Sequence, residues 1–345
     1  MAILKYTDVG IHSVSACVPK KIVRNSELGY LIPQEDLDKT IHSIGIRERR
    51  IAEWDVCSSD LCCKAAERLL LEHGIDRDSI GALIFISQTP DYRQPSTAPS
   101  LQDRLGLPKT VMAFDINMAC SGYVYGLSIA YSLASQDGIG RVLLLVGETM
   151  SKTVSDHDKV TTPLFGDAGT ATLIEKGEGY GPSCFVLHSD GGGSDMLRVP
   201  YGGYRNPSCM EGFERKMDEV GNILGGEQLH MRGLRVVPSG IKEILKILDM
   251  RVEDMDMIHF HQANRFMTDF FAKKLRFPLD RVPYSLEYFG NTSAASIPLN
   301  MVHTMYDGSF PRRRHVLMAG FGAGLAWGTA YLSLENLRIS KLIEY

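Results

Sequence analysis

The sequence lacks the features that would tie it to a membrane, to nucleic acid or to secretion. No apolar run among its 345 residues approaches the roughly 20 residues that a membrane-spanning helix needs. A formal net charge of −4 gives no overall attraction to nucleic acid or to an anionic membrane surface. The opening MAILKYTDVG has no apolar core of the kind found in secretory signals. We therefore expect a cytoplasmic protein that binds neither nucleic acid nor a membrane.

Cysteine is sparse, and its distribution argues against two kinds of site. The seven cysteines are odd in number and lie in apolar contexts, which favours reduced thiols over a disulfide framework. Cys62 and Cys63 are adjacent on a predicted helix and lack the C-x-x-C spacing of a zinc site. We expect both to be structural.

Apolar strands alternate with amphipathic helices along the chain. Residues 80–87 and 143–147 are almost wholly apolar, as in buried parallel strands. Residues 58–73 have the apolar spacing of an amphipathic helix, which ends at Gly74. An opening strand is predicted over 1–20 and a helix over 25–40. This alternation predicts an α/β protein with a covered central sheet.

The second half of the chain repeats the first. Residues 65–88 and 240–263 each read as an amphipathic helix, an acidic turn and an apolar strand, at an offset of about 175 residues. Residues 141–148 match 315–322 at nearly the same offset. We predict two duplicated halves, 1–176 and 177–345, with the boundary in the Gly-rich stretch 176–182. The irregular region 191–226 is expected to be an insertion near the active site.

A cysteine lies between a predicted strand and a predicted helix in AFDINMACSGYVYGLSIA, residues 113–130. Residues 110–114 are typical of a buried strand, and 123–133 carry apolar residues at helical spacing. Cys120 occupies the turn between them. Because a helix N-terminus is partially positive and its first N–H groups are unpaired, we expect a lowered thiol pKa and a nucleophile. A buried core cysteine is the alternative.

Two further polar residues follow predicted secondary structure elements. His261 in MIHFHQAN ends a predicted strand, and Asn291 in YFGNTSAAS lies on a turn before an apolar helix. Functional groups in open α/β sheets gather at the C-terminal ends of strands, so the duplication would let His261 face Cys120. A hydrogen-bonded core histidine and an ordinary turn asparagine are the alternatives. His259 shares a strand face with His261, but no carboxylate or cysteine at matching spacing completes a metal site.

Five motifs together resemble β-ketoacyl-ACP synthase III, the initiating condensing enzyme of type II fatty acid synthesis. They are GIRERR from Gly45, ACSG around Cys120, HQAN from His261, GNTSAAS around Asn291 and FGxGLxWG from Phe321. The motifs occur in the family's order and spread over nearly the whole chain. The resemblance implies a thiolase-like α/β fold, with the duplicated halves arranged in five layers (α-β-α-β-α), and a homodimer.

The resemblance also implies a role for each residue. Cys120 accepts the acyl group of an acyl-CoA, and His261 and Asn291 bind the malonyl thioester of malonyl-ACP. The oxyanion hole uses the backbone N–H groups of Cys120 and Ala323. Loss of CO₂ from the malonyl group supplies the carbanion, and the product is a β-ketoacyl-ACP. The family uses no cofactor and no metal, because the CoA and ACP thioesters are substrates.

Substrate contacts depart from the family pattern at two positions. Lys39 stands where the family often has a tryptophan that stacks on the CoA adenine, and Gln94 stands where it has a large pocket-closing aromatic. Lys159 corresponds to the basic residue on the other side of the adenine, and Asn264 to a contact with the pantetheine arm. These departures leave the CoA contacts and the primer chain length open.

Two basic patches are candidates for docking an acidic carrier protein. Lys273 and Lys274, on the helix after HQAN, match basic residues that the family uses to dock acyl carrier protein. A solvated helix face is the alternative for both. The arginine run 312–314 is a second candidate patch.

Several other functions remain open on the residues alone. A related condensing enzyme of secondary metabolism would use another acyl thioester, and a non-catalytic subunit of a condensing heterodimer would share the fold. A papain-like peptidase has the order Cys, His, Asn, but the C-G-[SA]-C-[WY] context is missing. Thiolases use a second cysteine near the C-terminus, whereas no cysteine follows Cys209. Elongating synthases have a second histidine where Asn291 stands.

Overall fold

The computed structural model describes residues 2–155, 157–207, 224–225, 227–310 and 313–345, with the backbone alone for 224–225 and 227–230. The strands are β1 Ala2–Tyr6, β2 Val9–Val18, β3 Ile22–Arg24, β4 Glu48–Arg50, β5 Ile80–Ile86, β6 Met112–Ile116, β7 Arg141–Thr149, β8 Asp167–Lys176, β9 Ser183–Ser189, β10 Leu197–Arg198, β11 Leu224–Gly225, β12 Met257–Phe260, β13 Val316–Gly322, β14 Ala326–Leu332, β15 Arg338–Ile339 and β16 Ile343–Glu344. The helices are α1 Gln34–Ile44, α2 Ser58–Glu72, α3 Thr97–Arg104, α4 Gly122–Ala134, α5 Glu227–Leu248, α6 Arg265–Leu275, α7 Leu286–Phe289 and α8 Ser296–Met305.

Two mixed sheets share one strand order. The first runs β15-β2-β8-β7-β5-β6, with β16 also paired to β2, and the second runs β1-β9-β14-β13-β12. In the first sheet, β5 and β7 are parallel, and β8 and then β2 follow antiparallel. In the second sheet, β12 and β13 are parallel, and β14 and then β9 follow antiparallel. The repeat in the sequence pairs β5 with β12 and β7 with β13, which occupy equivalent places in the two sheets.

Helices separate the two sheets and cover their outer faces, which gives the five expected layers. α4 and α8 lie between the sheets, α2 and α3 cover the first sheet, and α5 and α6 cover the second. Tyr123, Leu127 and Tyr131 of α4 are fully buried and belong to one core with Val146 of the first sheet and Met318 of the second. α4 is apolar around its circumference because it meets a sheet on both sides.

The two ends of the chain cross between the sheets. β1 pairs with β9 in the second sheet, whereas β15 and β16 pair with β2 in the first. Each sheet therefore contains a strand from the other half of the chain. The division into 1–176 and 177–345 describes the repeat in the sequence, and it stays a prediction.

The strand before Cys120 differs from our expectation of a buried strand over 110–114. It is β6, Met112–Ile116, and it forms the edge of the first sheet, paired to β5 on one side. Met112 is exposed, and Phe114 and Ile116 are half-buried. The prediction of burial is wrong because apolar content does not distinguish an interior strand from an apolar edge strand.

The first 44 residues also differ from the prediction. The single strand expected over 1–20 is two strands, β1 and β2, which belong to different sheets. The helix expected over 25–40 is a 3-10 turn, Asn25–Tyr30, followed by α1. Pro33 separates them at the N-cap of α1, because a proline disfavours helical backbone in the residue before it.

The structure also bears on two expectations from the sequence, one about a membrane and one about residues 191–226. Among the helices that the structure describes, none combines the length and the apolar character needed to cross a membrane. Of the predicted insertion 191–226, residues 208–223 and 226 lie outside the described residues.

Candidate active site

Cys120 lies where the chain passes from the first sheet into the central helix. β6 ends at Ile116, a 3-10 turn spans Ala119–Ser121, and α4 begins at Gly122. Ala119 has a φ of 46°, in the left-handed region that a tight turn can require. The strand–turn–helix arrangement predicted around Cys120 is confirmed.

Burial raises the pKa of the Cys120 thiol to about 11. The residue keeps some exposure but lies deep in the protein mass, so loss of bulk water is the main cause. The charge of Glu148 also raises the pKa, whereas a hydrogen bond with Ser293 lowers it. The expected lowering by the helix N-terminus is wrong, because desolvation of the sulfur outweighs the favourable local groups.

A glycine of β13 lets a second chain segment approach Cys120 closely. A Cβ atom added to Gly322 would lie 2.7 Å from the backbone N of Cys120 and 3.0 Å from its Cβ. Real Cβ atoms do not approach so closely, so only glycine fits this contact. Ala323 is the next residue, so its backbone N–H directly follows the point of close approach to Cys120.

Asn291 joins the site through the 3-10 turn Ser293–Ala295 that follows it. Its backbone N–H donates to the Leu164 carbonyl at 2.8 Å, and its carbonyl accepts from the Gly166 N–H at 3.2 Å. Its side-chain Oδ1 accepts from the Ser293 N–H at 2.9 Å. The Oγ of Ser293 lies 3.3 Å from the Sγ of Cys120.

His261 follows β12 and is fixed through its backbone and its ring. Its N–H donates to the Ala319 carbonyl at 2.8 Å. Its Nδ1 lies 2.8 Å from the Oγ of Ser296, and its ring packs against Phe321 with a centroid distance of 5.4 Å. Ser296 thus occupies Nδ1 of the ring.

One short segment, 291–296, connects the three candidate residues. It begins with Asn291, contacts Cys120 through Ser293, and contacts His261 through Ser296. The segment therefore gathers a thiol from the first half of the chain, and an imidazole and an amide from the second. Ser293 and Ser296 lie within the GNTSAAS motif, but the sequence did not reveal that they hold the other groups.

A buried carboxyl that sequence reasoning missed lies behind the thiol. Glu148, at the end of β7, accepts hydrogen bonds from the backbone and the side chain of Gln88 at 3.0 and 3.2 Å. The Nε2 of Gln88 also donates to Ser293 Oγ at 2.8 Å. Burial raises the pKa of Glu148 to about 7, although its hydrogen bonds act in the opposite direction.

His259 is buried on the same strand face as His261, two residues earlier. Its Nδ1 lies 2.6 Å from the Oδ1 of Asn300, and burial lowers its pKa to about 4. Within the described part of the chain, no group of three or more His, Cys, Asp or Glu side chains is placed to hold a metal ion.

Comparisons with known proteins decide the family. The family model described as 3-Oxoacyl-[acyl-carrier-protein (ACP)] synthase III matches residues 114–191, and the model of its C-terminal part matches 245–334. The β-ketoacyl-[acyl-carrier-protein] synthase III of Clostridium perfringens is 34% identical, over 92% of this chain and 96% of its own. The chain belongs to the 3-oxoacyl-ACP synthase III family.

Solved structures of synthase III relatives share the fold. A 3-oxoacyl-(acyl-carrier protein) synthase from Burkholderia xenovorans LB400 superposes with a TM-score of 0.93 at 37% identity, covering 100% of this chain and 99% of its own. The priming β-ketosynthase of the R1128 polyketide biosynthetic pathway superposes with a TM-score of 0.82 at 26% identity, over 95% and 96%. Membership of this synthase III family and the thiolase-like fold are thus established, and a papain-like peptidase is excluded.

The predicted CoA contacts of this synthase III lie at the surface. Lys39 on α1 is exposed and paired with Asp36, and Lys159 is exposed on a loop. Gln94, which replaces the pocket-closing aromatic of the family, is also exposed on a loop. Asn264 caps α6, since its Oδ1 accepts from the Met267 N–H at 2.9 Å. The structure therefore shows a helix-capping function for Asn264, which occupies the side-chain oxygen, and the ligand contact stays a prediction.

A cavity of about 550 Å³ lies between α1 and the start of α6, beside this surface. Its lining is charged and includes Arg47, Arg265, Asp38 and Glu287, with the exposed ring of Phe266. Sequence reasoning selected Gly45 and Arg47 of this lining as part of the GIRERR motif, and it did not select the other lining residues.

The candidate docking lysines lie on the last turn of α6. Lys273 and Lys274 are both exposed, and cations are favourable at a helix C-terminus, which is a structural reason for their presence. Of the arginine run, Arg312 lies outside the described residues. The N–H of Arg314 donates to Asp256, which fixes the backbone there. Cys209 also lies outside the described residues.

Proposed function

We propose that this synthase III condenses an acyl-CoA primer with malonyl-ACP to give a β-ketoacyl-ACP and CO₂, the initiating step of fatty acid biosynthesis. The observation that carries the proposal is the segment 291–296, which ties Cys120, His261 and Asn291 into one site. Curated relatives named β-ketoacyl-ACP synthase III support the reaction class.

The first half-reaction transfers the acyl group to Cys120. The sulfur attacks the thioester carbonyl, the carbon–sulfur bond to CoA breaks, and the proton of the thiol ends on the CoA sulfur. The backbone N–H groups of Cys120 and Ala323 would hold the oxyanion, since Gly322 brings the two segments into contact. Each such donor is typically worth about 3 kcal/mol in the transition state.

The second half-reaction makes the carbon–carbon bond. The malonyl thioester loses CO₂, and the electron pair of the broken bond passes to the enolate oxygen. Nε2 of His261 and Nδ2 of Asn291 would donate hydrogen bonds there, because Nδ1 and Oδ1 are engaged by Ser296 and Ser293. The enolate carbon attacks the acyl-Cys carbonyl, and the Cys120 thiolate leaves. An amide does not titrate, so Asn291 remains a donor across the working pH range.

No cofactor takes part in this scheme, because decarboxylation supplies the carbanion that a deprotonation would otherwise have to provide. We propose that CoA is bound near Lys39 and Lys159 and its pantetheine arm near Asn264. Gln94 would help to set the primer length. The exposed Lys273 and Lys274 would attract the acidic acyl carrier protein.

We further propose a homodimer in which the β6 edge pairs with the same edge of a second copy. An unpaired apolar edge strand is a template for association, and Phe114 and Ile116 remain half-buried in one chain. The six described cysteines are free thiols, which supports a reducing, cytoplasmic setting. Sedimentation of the purified protein tests the dimer.

A single assay tests the reaction and its alternative. Purified protein is incubated with malonyl-ACP and a series of acyl-CoA primers, and products are identified by mass. A β-ketoacyl-ACP two carbons longer than a short primer is expected. Condensation of only larger or unusual primers would instead favour secondary metabolism, which the similarity to the R1128 priming ketosynthase also suggests. No condensed product with any primer would overturn the proposal.

A further inference from the structure

A chain of hydrogen bonds leads from the buried Glu148 to the sulfur of Cys120. Glu148 Oε1 accepts from Gln88 Nε2 at 3.2 Å, Gln88 Nε2 donates to Ser293 Oγ at 2.8 Å, and Ser293 Oγ lies 3.3 Å from Cys120 Sγ. Glu148 and Ser293 are fully buried. The chain joins the end of β7, the loop after β5, and the turn before α8 to the nucleophile.

The chemistry of the four groups sets the direction of these bonds. An amide nitrogen only donates, and Gln88 Nε2 faces two oxygens, so Ser293 Oγ acts as the acceptor in that contact. A serine hydroxyl has one proton, which is then available to the remaining neighbour, the sulfur of Cys120. The backbone N–H of Gln88 donates to Oε2 of Glu148 at 3.0 Å, which holds the carboxyl beside the side-chain amide of Gln88.

The backbone of Ser293 is held in an unusual conformation that serves this contact. Its φ is 51°, in the left-handed region that residues other than glycine rarely adopt. The Ser293 N–H donates to the Oδ1 of Asn291 at 2.9 Å, which stabilises the turn. The strained backbone thus delivers the hydroxyl to the thiol.

We propose that Ser293 is a further catalytic residue, whose hydroxyl donates a hydrogen bond to the Cys120 sulfur, and that Gln88 and Glu148 are positioning residues that direct this hydroxyl. The inference rests on the proposed function and deepens it. The sulfur carries negative charge when it attacks the primer, and again when it leaves the acyl group during condensation. A hydrogen bond to the charged form stabilises both states.

Two titratable residues near the thiol, Glu148 and His261, could also affect its reactivity. Glu148 acts from the end of β7, and its charge disfavours a thiolate. His261, which follows β12, packs against the ring of Phe321. The residue after Phe321 is Gly322, which lies close to Cys120. The hydroxyl of Ser293 is uncharged, so its contribution persists at every pH at which Cys120 reacts.

The test measures the rate of Cys120 alkylation by iodoacetamide against pH in the wild type and in Ser293→Gly and Ser293→Ala. Glycine tolerates the φ of 51°, so the Gly variant removes the hydroxyl and keeps the backbone. A lost hydrogen bond to a charged group should slow alkylation near neutral pH by about 10- to 100-fold and move the profile to higher pH. Gln88→Met, which cannot donate, should move it in the same direction by less.

Ser183→Ala is the matched control, because Ser183 is another buried serine, on β9 and with no contact to this chain of bonds among the described residues. Its alkylation profile should coincide with the wild type. Coincident profiles for the wild type and Ser293→Gly would overturn the inference while leaving the proposed function intact. If wild-type Cys120 is alkylated but accepts no acyl group from any acyl-CoA, the proposed function fails instead. If both Ser293 variants fail to fold, an unchanged profile in Gln88→Met overturns the inference.

Discussion

The hydroxyl of Ser296 lies 2.8 Å from Nδ1 of His261, three residues after the serine that contacts Cys120. Ser296 begins α8, so the N-terminus of a central helix holds the imidazole while the preceding turn holds the thiol. One segment therefore contacts the thiol through Ser293 and the imidazole through Ser296.

Removing the Ser296 hydroxyl should separate the half-reactions. Ser296→Ala removes the hydrogen bond that holds Nδ1 of His261. We expect condensation to fall about 10- to 100-fold, as for a loosened catalytic group, with acylation of Cys120 nearly unchanged. Mass spectrometry of the acyl-enzyme and a condensation assay measure the two steps. Thr304→Ala, which removes a hydroxyl bonded to the Asn300 carbonyl on the same helix, should change neither step. Equal loss of both steps in Ser296→Ala would contradict this assignment.

Asn291 should be dispensable for acylation and required for condensation. Asn291→Asp keeps the oxygen that accepts from the Ser293 N–H and removes the donor for the enolate. We expect an acyl-enzyme that condenses at least about 100-fold more slowly, which is the scale of one lost transition-state donor. Asn291→Ala also loses the acceptor for the Ser293 N–H, so it should still become acylated, more slowly than Asn291→Asp, and should scarcely condense. Cys120→Ala should form no acyl-enzyme at all. Normal condensation by Asn291→Asp would argue against the amide as a donor.

A methyl group at Gly322 should disable the nucleophile. The added Cβ would meet the Cys120 backbone N at 2.7 Å, so Gly322→Ala must displace one of two tightly packed segments. We expect acylation to be lost and the thermal midpoint to fall, as is typical of overpacking by about 1–3 kcal/mol. Gly138→Ala is the control, since nothing lies within 4 Å of the added atom there. Full acylation of Gly322→Ala would contradict a close contact between Gly322 and Cys120.

The buried Glu148 should make the protein less stable as the pH rises from 4.5 to 7. Its pKa is raised from 4.5 to about 7, so the folded state keeps a proton that the unfolded state releases. The stabilisation is complete below pH 4.5 and is lost as the pH rises through 7, a change of up to about 3 kcal/mol. Urea unfolding of the wild type and Glu148→Gln across this range measures it. Glu148→Gln should lose this part of the pH dependence of the unfolding free energy. The same pH dependence in both proteins would refute the raised pKa of Glu148.

His259 should have the opposite effect on stability in acid. Its pKa is lowered from 6.5 to about 4, so the unfolded state binds a proton that the folded state does not. The contribution of the neutral His259 to the free energy of unfolding is complete above pH 6.5. It is lost as the pH falls towards 4, again by up to about 3 kcal/mol. His259→Leu should reduce the acid sensitivity of unfolding in urea. Asn300→Leu, which removes the hydrogen-bond partner but keeps the histidine, should retain that sensitivity.

Part of the fold followed from local patterns. The predicted helix over 58–73 is α2, and the predicted strand over 80–87 is β5, because both patterns depend on neighbouring residues alone. The helix expected over 25–40 was wrong because the prediction did not allow for the break at Pro33. The edge position of β6 could not be foreseen, since it depends on which strand lies beside it.

The sequence by itself determined the order and identity of the candidate active-site residues, the strand–turn–helix around Cys120 and the family. These follow from short motifs that the covalent chain preserves. The tertiary structure alone decided the direction of the Cys120 pKa shift and the hydrogen-bond chain through Gln88 and Ser293. Ser293 is 173 residues from Cys120 and 205 from Gln88 along the chain. Burial and hydrogen-bond contacts at such separations arise only when the two sheets close around the central helices, which no local pattern records.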